Sequence, residues 1–421
     1  MDRSSQASHT RGPDLATPSV PQSKTSPTVR LFRIYAGLVF SFAWVPVMYT
    51  AFTIDRGFDS AQYMRLWSVY YLAMVTAELP WGWLADRLGP RPLLICGPLL
   101  MAFGFAMLGH SESFDVCLLA MGITGTAHAM ISGADSAFLY EIVLSENRKH
   151  AALHEEAVAH RWKLFGVSAA DLAGGFAAFF FGTAVAFDLS VALMIAATFV
   201  ALKLPSVRKT PQKRNRPRWT SILRQLLRPP VIWVVGWYTT VFVFLRVGFQ
   251  LYQPTLLAEG IHDLRWHGAT LSLLNLVAGI SAIYVASLHR RLRERGTSYL
   301  VVLLIALSFV GLSGGQLFLL APLLCLQQIS FGIMQPLGRT SLNHRVGSAE
   351  RASLLSAQSV VARFSFGLIL MLLSESDWNY QPDQSLTPSY LVLAAIAAGA
   401  GILWWALHPW MMKTDPMSHD P

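Results

Sequence analysis

Glu78-Leu79-Pro80-Trp81-Gly82-Trp83-Leu84-Ala85-Asp86-Arg87-Leu88-Gly89-Pro90-Arg91 decides how this chain is read. The stretch begins inside an apolar segment and closes in a tight charged turn. A second apolar segment follows at once with Pro92-Leu93-Leu94-Ile95. Gly89 permits the turn, because a residue without Cβ enters backbone regions closed to others, and Gly82 is placed to let another helix come close. Asp86 can pair with arginines or cap a neighbouring helix. An Asp-Arg-x-Gly-x-Arg tip between two membrane-length helices is a gating device rather than a lipid anchor. It implies a chain that crosses a bilayer repeatedly and moves a solute.

The rest of the chain agrees with a membrane setting. Of 421 residues, 53% are hydrophobic and only 14% charged, against roughly 25% charged in soluble domains. Twelve apolar segments are expected to span, at 31–53, 62–84, 92–110, 115–140, 160–181, 185–204, 231–253, 268–289, 298–314, 317–340, 352–373 and 389–411; about 20 residues cross the hydrocarbon core. The turn between the ninth and tenth falls at Gly314-Gly315-Gln316. Residues 1–29, rich in Ser, Thr and Pro, read as a disordered cytoplasmic tail with no cleavable signal. Residues 412–421 read as a second tail. Cys96, Cys117 and Cys325 have no metal or redox spacing and read as small buried hydrophobes.

Charge fixes the expected orientation. Nine basic residues and no acidic one lie between Lys203 and Arg228, and Arg87, Arg91, Arg148, Lys163, Arg290, Arg291, Arg345 and Arg351 fall on the same side. The opposite loops hold Asp55, Asp59, Glu112, Asp115, Glu259, Asp263, Glu375, Asp377 and Asp383, with Arg56 and Arg265 the clear basic exceptions. Positive charge stays inside, so both termini are expected in the cytoplasm. The net charge of +9 is then a topology and lipid signal, not a nucleic-acid one. The basic linker at 205–230 divides the chain into six-helix bundles at 30–204 and 231–411. In a parallel repeat of this kind the substrate site lies between the halves near the midplane.

At this point the chain resembles the major facilitator superfamily, over roughly residues 30–411. Gly82 to Arg91 is similar to the family's G-x-L-A-D-R-x-G-R-[KR] hairpin, with Pro90 in place of a basic residue. The resemblance implies an all-α membrane fold of twelve helices in two bundles, with Gly82, Asp86, Arg87, Gly89 and Arg91 as a cytoplasmic latch. His289 to Gly296 occupies the equivalent place in the second half in degenerate form. Gly166 to Gly175 resembles the antiporter motif G-x-x-x-G-P-x-x-G-G, but Ala170-Asp171 replaces Gly-Pro. Its small residues still allow close helix packing. The R-x-x-Q-G of drug antiporters is absent: the corresponding stretch is Met121-Gly122-Ile123-Thr124-Gly125.

Polar groups inside spans are costly and mark function. His128, Asp171 and Arg363 fall near the middle of spans 4, 5 and 11, and Arg246 lies in the outer half of span 7, with Gln250 on the same face four residues on. Gln327, Gln328, Gln335 and Asn275 add amides in spans 10 and 8. The expected binding set is His128, Asp171, Arg246, Gln250, Gln328 and Arg363. His128 and Asp171 serve as proton carriers, and the arginines hold an anionic group or a carboxylate. Glu78 and Asp135 read as gate partners of Asp86, Arg87 and Arg91, and Glu78-Leu79-Pro80 as a local helix break. Trp404, Trp405 and Trp410 read as interface anchors. His150 and His154 sit at i and i+4, which a solvated polar helix explains without a metal.

With no Gly-x-x-x-x-Gly-Lys loop, the expected activity needs neither enzyme chemistry nor a cofactor. It is alternating-access transport of a small organic molecule across the inner, or plasma, membrane by a monomer, coupled to protons in the efflux direction. Proton-driven uptake of a small anionic solute, such as a siderophore or organic acid, is the alternative. A non-transporting receptor or channel is a third class.

Overall fold

The computed structural model describes residues 26–146, 148, 152–206, 219–315, 317–346, 351–375 and 386–414. Most of the expected N-terminal tail, the core of the basic linker, His150, Asp377, Asp383 and the end of the C-terminal tail lie outside the described residues, as does the side chain of Asp86.

The described residues are helical throughout their regular structure: α1 (Pro27–Val39), α2 (Ser60–Leu88), α3 (Pro90–His110), α4 (Phe114–Ser145), α5 (Ala152–Phe181), α6 (Thr183–Leu202), α7 (Trp219–Leu226), α8 (Pro229–Ala258), α9 (Leu264–Leu312), α10 (Leu317–Arg345), α11 (Arg351–Ser374) and α12 (Thr387–Met411). Nine of these helices, α3–α6 and α8–α12, are long and apolar enough to cross a membrane. The helix α1 has only 13 residues, and α2 carries Arg65, Glu78 and its charged tip within its length. By contrast α9 has 49 residues, about 74 Å at 1.5 Å per residue, more than twice a hydrocarbon core of ~30 Å. It is broken at Arg293, whose φ is 56°, where the sequence places the gap between two spans.

Local chemistry explains the ends. Asp59 and Gln62 form a reciprocal capping box at the start of α2, which satisfies two orphan N–H groups. Gly89, at φ 84°, ends α2 and begins α3 with no residues between, and Pro90 supplies the preset first helical position. The short helix α7 falls inside the expected linker.

Two expectations are corrected. The first span is not one helix: after Val39 the chain leaves the helix at residues 40–44, takes a 3-10 turn at Val45–Val47 and a π turn at Thr50–Ile54. Pro46 explains the break, since it donates no N–H and its ring collides with the carbonyl four residues back. Pro80, in contrast, does not break α2, which runs through it.

Helices α1–α6 pack mainly on one another, as do α8–α12, and the two sets meet along two seams, α2 on α11 and α5 on α9. Backbone contact makes the second seam tight. A Cβ on Gly175 would stand 2.6 Å from the Leu264 carbonyl, and one on Gly268 would stand 2.6 Å from that of Asp171. The small-residue face expected on α5 also lies against the first span. Gly166 abuts the Gly37 carbonyl and Gly174 that of Ala43, so closely that neither tolerates a side chain. Gly82 does not have the close-packing role expected of it, because the space around it is open.

Candidate functional site

The broken first span exposes backbone groups that a membrane interior will not solvate, and side chains from elsewhere meet them. Trp44 donates its N–H to Ser190 Oγ of α6 at 3.1 Å. Tyr49 donates its N–H to Gln253 Oε1 at 2.8 Å, and Gln253 Nε2 donates to the Val45 carbonyl at 2.9 Å. Gln253 lies on α8 and is fully buried, so one amide from the later helices completes the hydrogen bonding of the first. One turn earlier on α8, Gln250 accepts a hydrogen bond from Tyr63 of α2 at 3.0 Å. Gln253 was missed by sequence reading, although Arg246, Gln250 and Gln253 follow a helical i, i+4, i+7 face.

Further toward the basic end lies a cluster of charged residues, called the chamber below for the role proposed for it. Glu78 of α2 pairs with Arg363 of α11 at 3.3 Å and accepts from Ser356 Oγ at 3.2 Å. Glu78 thus belongs with the chamber rather than with the hairpin tip. His128 Nδ1 lies 2.7 Å from the Tyr70 hydroxyl, and its ring meets Phe40 and Phe42, at 5.2 and 6.2 Å between centroids. The charges of Arg363, Lys163 and Arg246 all act on His128, and Asp135, Arg363 and Arg339 act on Lys163. The structure therefore brings His128, Arg246, Arg363, Glu78 and Asp135 into one neighbourhood, with Lys163 and Arg339 as additional members.

Lys163 was read only as a topology charge. It sets its ammonium 3.4 Å from the centre of the Phe40 ring, in the broken first span. The available signal was its spacing to Gly166, Ala170 and Gly174, which puts it on the face of α5 that contacts that span.

Asp171 is not part of this group. Its carboxylate accepts a hydrogen bond from Asn275 of α9 at 2.7 Å, and the residue is buried in the α5–α9 seam. Gln328 lines a separate crevice among α8, α9 and α10, with Gly248, Phe249, Tyr252 and Gln327. Of the hairpin tip, Arg87 stacks over Trp83 at 3.9 Å and Arg91 donates to the Leu202 carbonyl at 2.9 Å, capping α6. Asp135 accepts from the Ser136 N–H at 2.7 Å. Trp404 is not an interface anchor. It donates to Thr240 Oγ1 at 3.1 Å and its ring covers Gly236 of α8. Trp405 and Trp410 are exposed. Cys96 is exposed too, contrary to expectation, while Cys117 is buried.

A multi-pass membrane protein whose described residues are helical, with two helix sets meeting along two seams beside a cluster of charged residues, has the fold of a membrane transporter. The chain belongs to the Major Facilitator Superfamily, whose profile matches residues 31–371. Solved structures agree on the fold. The nucleoside transporter NupG superimposes with a TM-score of 0.75 at 13% identity, covering 91% of this chain and 99% of that one. A peptide transporter POT in complex with sulfate gives 0.70 at 15% identity, with 91% and 94% covered. A bacterial homolog of the human lysosomal transporter Spinster, inward-facing and unoccupied, gives 0.65 at 13% identity, with 92% and 96% covered.

Proposed function

We propose that this protein is a secondary active transporter of the cytoplasmic membrane that exports a small organic molecule in exchange for protons. It crosses the bilayer twelve times as two six-helix halves, 30–204 and 231–411, with both termini and the linker at 205–230 in the cytoplasm, and it works as a monomer. The halves rock about the chamber, exposing it to one side at a time.

The observation that carries this reading is the Glu78–Arg363 pair. It is an ion pair that joins the two helix sets through α2 and α11, and ionisable groups on membrane helices mark solute and proton paths. His128, bonded to Tyr70 inside the chamber, is a proton carrier that the solute can reach. Asp171 acts on the seam, where protonation changes what its carboxylate offers Asn275.

Proton-driven uptake of a small anionic solute is the second reading. It is favoured by the excess of cations in the chamber, where Lys163, Arg246, Arg339 and Arg363 face Glu78 and Asp135.

An untargeted metabolite comparison between a deletion strain and its parent supplies the candidate solute. Right-side-out and everted vesicles, with and without an imposed pH gradient, then give the direction. Export predicts gradient-driven accumulation in everted vesicles, and loss of it in Arg363→Ala with membrane expression retained. Flux that ignores the gradient in both orientations would overturn the coupled reading.

A further inference from the structure

Among the charged groups gathered here, Arg246 is set among aromatic rings. Arg363 has Glu78, and Lys163 has Asp135 as its opposite charge. At the basic end, Glu155 holds Arg33 and Arg148, and Glu294 holds Arg345. Arg246 forms no ion pair among the described residues, and its Nε is buried with no acceptor. Its guanidinium is surrounded by phenyl rings instead: Phe242, Phe249 and Phe331 lie with centroids 5.3, 5.6 and 5.8 Å from Cζ. Ring faces attract a cation, but they accept no hydrogen bonds of ordinary strength from a fork of five N–H donors. A guanidinium left without an acceptor on an apolar wall is a half-built binding site, and the missing half is an anion.

We propose that the transported solute is an organic acid with one anionic group on a flat apolar body. Its acid group is taken by the Arg246 fork, and its body lies against the phenyl rings around that arginine. This deepens the transporter reading above and depends on it for the word transported; the binding site is testable without it. A carboxylate matches the planar fork by two parallel hydrogen bonds. Arg363 draws the same anion inward, while Glu78 and Asp135 oppose a second negative charge on the ligand. The charge of Arg246 acts on both His128 and Tyr70, so the bound acid lies near the hydrogen-bonded pair these two residues make within the first helix set.

The test uses the purified full-length protein in detergent, with thermal unfolding followed by tryptophan fluorescence. The probes are benzoate, phenylacetate, acetate, benzyl alcohol and benzylamine. The aromatic acids are expected to raise the midpoint saturably, and the alcohol and amine are not. Arg246→Gln should weaken the apparent affinity for both aromatic acids at least tenfold, with Arg246→Lys intermediate because it keeps the charge and loses the fork. Phe331→Leu should weaken phenylacetate and leave acetate unaffected; should Arg246→Gln fail to fold, this variant and the wild-type panel decide. The proposal is overturned if the amine or alcohol stabilises as well as the acids, if neither aromatic acid stabilises, or if Arg246→Gln binds them like wild type. Acids that bind without gradient-driven flux in proteoliposomes would remove the transport reading and leave this site standing. Gradient-driven flux of a neutral or cationic solute would do the reverse.

Discussion

The two ends of this molecule are tied differently. At the acidic end the ties run between the two helix sets and are largely neutral. Gln253 completes the broken first span, Tyr63 donates to Gln250, and Gly175 and Gly268 let α5 and α9 touch. The exposed Arg65–Glu375 pair is the charged addition. At the basic end the ion pairs run within each set. Glu155 joins α5 to α1 through Arg33 and also binds Arg148, and Glu294 joins α9 to α10 through Arg345. Meanwhile α4 presents Gly133, Ser136 and Ala137 to open space. The molecule is thus clamped across one end, while the other is built of two stiff bodies free to separate. Buried amide bonds suit the clamp: they are short-ranged, so they hold fully or release fully, whereas charges act over distance.

Breaking the clamp should have the largest effect. Gln253→Leu removes two hydrogen bonds that cross between the helix sets, one from the Tyr49 N–H and one to the Val45 carbonyl, which keeps its bond from the Met48 N–H; each lost bond costs about 0.5–1.5 kcal/mol. We expect the acidic end to open, with a cysteine at position 51 labelled at least tenfold faster than in the parent, in a background lacking the three native cysteines. Ala51 is buried in the structure. Unchanged labelling would mean that the amide does not hold this end closed.

Next comes the charged tie that crosses between the sets inside the chamber. Glu78 and Arg363 are 22% and 23% exposed, so the 3–5 kcal/mol lost on breaking a fully buried pair shrinks to roughly 1–2 kcal/mol here. Glu78→Gln should lower thermal stability by that amount, and Glu78→Gln with Arg363→Gln should recover part of it. A double variant that is simply additive would show that the two side chains are not coupled.

The same contrast separates what the sequence could reveal from what it could not. The membrane character, the hairpin turn at Gly89, the gap near Arg293 and the small-residue face of α5 are local, written in hydropathy, glycine and spacing, and all are legible. The chamber was legible in part. His128, Arg246 and Arg363 announce themselves because charge at membrane depth is rare, and they do converge. Asp171 announced itself equally and lies elsewhere, because depth along a helix is readable while the facing neighbour is not: Asn275 lies 104 residues away. Gln253 was hidden for the opposite reason. An amide near the end of an apolar helix is unremarkable until the partner is seen to be an unwound segment some 200 residues earlier in the chain. Pro46 and Pro80 show the limit of local rules, since one breaks its helix and the other does not.

Asp171 sharpens the comparison because it is a protonatable group placed in the clamped seam. Asp171→Asn keeps the shape and an acceptor oxygen for Asn275, so stability should change by less than about 1 kcal/mol. If proton exchange at this seam drives the rocking motion, gradient-driven flux should nonetheless disappear. Retained flux at wild-type rates would make Asp171 a packing residue.

The smallest expected effect lies in the ion pairs that stiffen the basic end. Glu294 sits at the break in α9, bound through both carboxylate oxygens by Arg345, at 2.9 and 2.5 Å, with His408 at 4.0 Å. Burial opposes ionisation of this carboxyl, but the Arg345 guanidinium outweighs burial and holds the group below the ordinary glutamate value of 4.5. A carboxylate whose folded value is depressed contributes stability above its unfolded value and loses it as pH falls through the folded one. Stability from this pair should therefore be complete at neutral pH and decline below about pH 4.5, the ordinary value. The acid-induced fall in unfolding midpoint should be shallower in Glu294→Gln than in the parent. The acidic-end label at position 51 should not respond, since Glu294 ties α9 to α10 within one helix set and leaves the clamp alone. A label that accelerates as Glu294 is protonated would show that the stiffness of one body is transmitted to the clamp, and would erase the distinction between the two ends.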